Sequence, residues 1–103
     1  MKVKNLNYSS ENFPKPTCKC KTWIFHWEIN KYPEGKKAGF CRGCGKRFDH
    51  SELCGGHVIK VDSSDKKIYI IPLCKSCNAK KDAIYEVNET GLVPANRIFC
   101  INN

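Results

Sequence analysis

Two C-x2-C pairs, a β-hairpin pattern lying between them and a chain of 103 residues predict a small α+β domain stabilised by zinc, with a hairpin feeding a helix. The first pair is Cys41-Arg42-Gly43-Cys44 and the second Cys74-Lys75-Ser76-Cys77, giving C-x2-C-x29-C-x2-C. A two-residue gap lets two sulfurs reach one tetrahedral ion at about 2.3 Å while the backbone between them turns. Gly43 and Gly45 suit that turn. Eight cysteines also fit a secreted disulfide scaffold. Against that, Met1 to Tyr8 holds no apolar export segment, which favours reduced, metal-bound thiols and an intracellular, cytoplasmic placement.

A chain of this length is one domain, and at this size roughly 60–70% of the unfolded surface is buried on folding. The apolar core is small, so structural zinc, with an apparent 10–16 kcal/mol or so in finger peptides, decides whether it folds. Removing the metal is expected to unfold it. No apolar run approaches the ~20 residues that span a bilayer, which excludes a transmembrane helix and a membrane partner.

The formal charge is +8, from 18 basic and 10 acidic residues. Each zinc held by four thiolates removes two units, leaving about +6 with one such site and about +4 with two. Lysines dominate and recur near the cysteines, at Lys46 and Arg47 and then at Lys75, Lys80 and Lys81. A phosphate backbone is the natural partner of such a surface through counterion release, so DNA or RNA is the expected partner. A merely solvated lysine-rich exterior is the competing interpretation.

Taken in order, residues 1–17 read as a polar, partly flexible arm, and 18–103 as a single zinc-binding domain. Cys18-Lys19-Cys20 opens that domain. From Thr22 to Ile29, Trp23 and Trp27 stand at i, i+4 behind a candidate N-cap, although Trp23, Phe25, Trp27 and Ile29 also alternate as a strand would. A short N-terminal helix ending before Pro33 is the expectation, its tryptophans serving as core. Cys18, Cys20 and His26 are candidates for a second zinc, completed by Cys54, Cys100 or His57; four sulfurs from Cys18, Cys20, Cys54 and Cys100 are the rival set.

Lys31 to Gly39 is a loop leading to the first cysteine pair, and His50 beyond it reads as exposed and without a role. His57 to Asp62 and Lys67 to Leu73 are β-branched-rich runs joined by the turn residues Ser63 to Lys66. On the first run His57, Ile59 and Val61 share one face. Asn78 to Glu89 reads as a helix stopped at Gly91, with the His57 face packed toward it. His57 is then a packing group, a zinc ligand or a general base. Leu92 to Ile101 is too apolar for a tail and is expected to fold back over the hairpin.

The pattern Cys41-x2-Cys44, Gly56-His57-Val58, and Ile71-Pro72-Leu73-Cys74-x2-Cys77-Asn78-x2-Lys81 resembles the zinc-bearing branch of the HNH endonucleases across residues 40–90. The resemblance implies a ββα-metal fold related to the treble clef. It also implies that His57 activates water and that Asn78 helps hold a catalytic Mg2+ or other divalent cation. The chain departs from the pattern where family members carry an acidic or histidine metal ligand just before the base, since Gly56 stands there. Tyr69 occupies the place of the orienting asparagine. A zinc-binding, HNH-like module that binds nucleic acid without catalysis is therefore the expected function. A divergent metal-dependent endonuclease, with Asp62 or Asp82 as a replacement ligand, and a zinc-dependent protein-interaction module are the alternatives.

Overall fold

The structure, a computed structural model, describes residues 1–6, 22–32 and 35–95. Its strands are β1 (Lys2–Asn5), β2 (Leu53–Lys60), β3 (Tyr69–Cys74), β4 (Ile84–Glu86) and β5 (Val93–Pro94), and its helices are α1 (Trp23–Lys31) and α2 (Lys75–Asn78). The strands form one antiparallel sheet in the order β4-β1-β2-β3-β5. The domain is thus a small α+β fold.

The expected N-terminal helix is present as α1, and Thr22 caps it, its Oγ1 accepting from the Phe25 amide at 3.2 Å. Trp23 and Trp27 are buried, as core residues should be. The hairpin is present too, as β2 and β3, with Val58 opposite Tyr69 and Leu53 opposite Cys74. At its turn end Tyr69 Oη donates to Asp65 at 2.5 Å, and Lys60 lies 3.3 Å from the same carboxylate. The tyrosine hydrogen bond, then that of the Lys67 amide, lowers the Asp65 carboxyl to about 2.

Two expectations fail for one reason. Residues 2–5, assigned from sequence to a polar arm, occupy the interior of the sheet as β1, with Val3 and Asn5 wholly buried. Residues 84–86, assigned to a helix over Asn78 to Glu89, are strand β4 paired with β1. The helix ends after Asn78, and Asp82 has a left-handed backbone, φ 66°, that no helix continues through. Lys4 opposite Ile84 and Val3 opposite Tyr85 supply a pairing partner some 80 residues away in the chain, which local periodicity cannot reveal. The remainder of the arm, residues 7–17, lies outside the described residues. Of the C-terminal stretch, Val93 and Pro94 pair with β3 as expected, and residues 96–101 lie outside the described residues.

Strand alternation gives the sheet two faces. Gly55 and His57 face α1: a Cβ on Gly55 would sit 2.5 Å from the Trp23 carbonyl carbon, so only glycine lets the helix approach. Cys54, Gly56 and Val58 face the other way, with Val3 and Asn5 of β1 and Leu73 and Ile71 of β3 on that face. Here the sheet meets α2.

Candidate metal centre

The first cysteine pair sits at the tip of a tight hairpin. Phe40 bridges Arg47, the Phe48 amide donates to the Gly39 carbonyl at 3.0 Å, and Gly45 turns the chain at φ +76°. The Arg42 amide donates to the Pro72 carbonyl at 2.8 Å, fastening this tip to β3 just before the second pair. Cys74 ends β3 and caps α2, its sulfur accepting from the Cys77 amide at 3.4 Å, so that Cys77 faces back toward the tip.

The sulfurs of Cys41, Cys44, Cys74 and Cys77 consequently lie within 4.8 Å of one another. Tetrahedral sulfurs at about 2.3 Å from an ion stand about 3.8 Å apart, so this arrangement can hold one metal ion. The local backbone fits thiolate ligands. Amides of Gly43 and Cys44 point at the Cys41 sulfur from 3.3 and 3.4 Å. Burial alone would raise the Cys41 thiol, but the amides of Cys44, Cys74 and Gly43 outweigh it and bring it down to about 7. Cys77 is pushed up to about 12, first by burial and then by the neighbouring sulfurs. Four thiolates this close repel, and a cation is what relieves them. Gly43 leaves the needed room: a Cβ there would lie 3.2 Å from the Cys77 sulfur and 3.1 Å from the Tyr85 ring.

Two residues that sequence reasoning passed over hold the second cysteine pair in place. Tyr85 of β4 donates from Oη to the Cys77 carbonyl at 2.6 Å. Asn5 of β1 aims its side-chain amide at the carbonyls of Cys77, Asn78 and Lys80, at 3.3, 2.9 and 3.0 Å. The Cys77 and Lys80 carbonyls share Asn5 with the Tyr85 hydroxyl and the Ala83 amide, while for the Asn78 carbonyl, at the end of a one-turn helix, the buried asparagine is the described donor. Nothing local marks Asn5, because its partners are more than 70 residues on.

The catalytic pair that the resemblance implies is not brought together. His57 is 5% exposed and stands edge-on to Trp23 of α1, ring centroids 5.2 Å apart. Burial lowers it to about 4, so it is a neutral ring. Asn78 lies across the strand: its Oδ1 is 3.2 Å from the point where a Gly56 Cβ would stand. The expected packing of the His57 face toward the following helix is therefore corrected. That face packs on the preceding helix α1, because Gly55 and His57 share it. The Gly56 departure has a steric reason as well, since a side chain there would start 2.4 Å from Leu73 Cδ1. Asp62 and Asp82 are exposed at left-handed turn positions, and Asp62 is about 16 Å along the strand from His57 by strand rise.

For the second metal set, Cys18, Cys20 and Cys100 lie outside the described residues. His26 is buried on α1 and donates from Nε2 to the Pro94 carbonyl at 3.0 Å, which commits that nitrogen to the backbone. Cys54 is half-buried outside the tetrad, its thiol raised by burial. His50, expected to be exposed and idle, is half-buried with Nδ1 2.6 Å from Glu28 Oε2, which also accepts from the Ala38 amide at 2.7 Å. Glu28, buried on α1, thereby anchors the loop that leads into the first cysteine pair.

Lys46, Arg47, Lys75, Lys80 and Lys81 are all exposed. Among the described residues none of the five has a carboxylate partner within 4.0 Å, whereas Lys60 has two. No helix among the described residues is long and apolar enough to cross a membrane. Comparison with known protein families, curated proteins and solved structures found no match to this chain.

Proposed function

We propose that the chain is a zinc-binding module of the treble-clef, HNH-like kind that binds nucleic acid through its lysine-rich surface and does not cleave it. The order of parts supports the treble-clef reading: a cysteine-bearing tip, a hairpin, and a helix whose first turn carries the second cysteine pair. Four thiolates in tetrahedral reach favour zinc, which has no redox chemistry and takes this donor set in structural sites. Cys41, Cys44, Cys74 and Cys77 would hold it, and its role would be to join the tip to α2.

The observation that carries the non-catalytic reading is the placement of His57 and Asn78 on opposite faces of β2. A general base must reach the proton it removes directly or through one water, and His57 is enclosed by α1 instead. Available to a polyanion near the cysteine pairs is the exposed set Lys46, Arg47, Lys75, Lys80 and Lys81. Phosphate contacts of that kind give affinity that falls steeply with salt.

Zinc-loaded protein is titrated into labelled DNA and RNA at several salt concentrations, and supercoiled plasmid is incubated with it and added Mg2+, Mn2+ or Ni2+. Salt-dependent binding without nicking is expected. Nicking that disappears in a folded His57→Ala variant would overturn the non-catalytic reading and restore the endonuclease. Absence of binding at low salt would overturn the nucleic-acid reading and favour a protein partner.

A further inference from the structure

Phe40 is 46% exposed, and it is the one exposed aromatic side chain among the described residues. It lies on the hairpin that carries the first cysteine pair, opposite Arg47, whose guanidinium carbon is 5.0 Å from its ring centroid. Antiparallel bridge partners project to the same side, so ring and cation are presented together. Exposed Lys46 is adjacent to Arg47, and exposed Lys36 precedes Phe40 by four residues, within about 14 Å of it along the chain, whereas Lys37 places its ammonium over the Phe25 ring, 5.5 Å from the centroid. Asp49 and Glu52 are exposed nearby, yet among the described residues none of the four cations has a carboxylate within 4.0 Å.

A half-exposed aromatic ring with the Arg47 guanidinium over one side and exposed Lys46 next to it in the chain, neither cation within 4.0 Å of a described carboxylate, matches the chemistry of an unstacked nucleobase joined to phosphates. Bases stack on aromatic rings without sequence preference while Lys and Arg follow the backbone. A duplex cannot use the ring in this way, because its base faces are already stacked inside the helix. An apolar protein surface is a poorer match, since one ring among lysines and arginine offers it no continuous apolar patch. We infer that the Phe40–Arg47 face of the hairpin is a stacking platform for single-stranded nucleic acid. This rests on the nucleic-acid reading above and narrows its substrate class.

Zinc-loaded wild type, Phe40→Ala, Phe40→Leu and Phe40→Trp are titrated by fluorescence anisotropy with a labelled oligothymidylate, an oligouridylate and a DNA duplex of equal length. Metal content and circular dichroism establish that each variant is folded. Phe40→Ala should weaken binding of the single strands about 5- to 150-fold and alter duplex binding less than about twofold. Phe40→Leu, which keeps apolar bulk without a π-face, should behave like Phe40→Ala, and Phe40→Trp should bind at least as well as wild type. Equal loss on single strand and duplex, or no loss in Phe40→Ala and Phe40→Leu, overturns the inference while leaving the nucleic-acid reading intact. Wild type that binds none of the three probes at low salt overturns both. The two single-stranded probes separate DNA from RNA, and binding of either supports the platform.

Discussion

Replacing Asn5 by alanine tests whether β1 supports the metal centre, because this side chain is the link between them. It serves three carbonyls, but their losses are unequal. The Cys77 carbonyl keeps the Tyr85 hydroxyl at 2.6 Å, and the Lys80 carbonyl keeps the Ala83 amide at 3.2 Å. The Asn78 carbonyl is the one whose described donor is Asn5. The cost is therefore near that of one orphaned, partly buried acceptor plus the weakening of two shared bonds, about 2–3 kcal/mol rather than three full penalties. For a domain of this size that corresponds to a drop in Tm of roughly 10–20 °C. Asn5→Asp should be worse still, since its carboxylate would face carbonyl oxygens. Urea and thermal unfolding of zinc-loaded protein measure the loss, and competition with a chromophoric chelator measures metal affinity, which should fall with it. A change under about 0.5 kcal/mol in Asn5→Ala, or an Asn5→Asp variant as stable as the alanine one, would refute the linkage.

Chelation of the metal, or Cys77→Ser, should abolish cooperative unfolding and remove the tetrad's metal ion, as read by native mass spectrometry and circular dichroism. Gly55→Ala should cost about 1–3 kcal/mol or more, because its Cβ meets the backbone of Trp23; Gly56→Ala should cost less, since the Leu73 side chain can turn aside, and urea midpoints compare the two. Stability should fall with acid through His57. Its ring takes a proton near 6.5 in the unfolded chain and only near 4 when folded, so the unfolded state binds more protons between those values. That contribution is present above about pH 6.5 and lost as pH falls toward 4, amounting to about 1 kcal/mol between about pH 7 and about pH 5.5. Urea titrations of wild type and His57→Gln should differ in slope by that amount, and identical pH slopes would show that His57 is not the sensor.

Local spacing made several parts of this protein legible in its sequence. The two cysteine pairs, the Thr22-capped helix, the hairpin from β2 to β3 and the exposed basic residues each depend on neighbours within a turn or a strand, where geometry follows from residue type. Long-range pairing decided the rest. Four residues of β1 carry too little pattern to announce a strand, and they convert Ile84 to Glu86 from apparent helix to sheet only because the chain returns to meet them. Glu28 with His50, and Asn5 with the end of α2, are polar contacts whose partners are remote in sequence and whose burial exists only once the layers are packed. The sharpest case is His57 and Asn78. Their motif spacing is readable, but which side of β2 each occupies depends on strand alternation and on which helix covers that side. Tertiary packing set His57 against Trp23 and Asn78 behind Gly56, and so separated two residues that the motif alone would join.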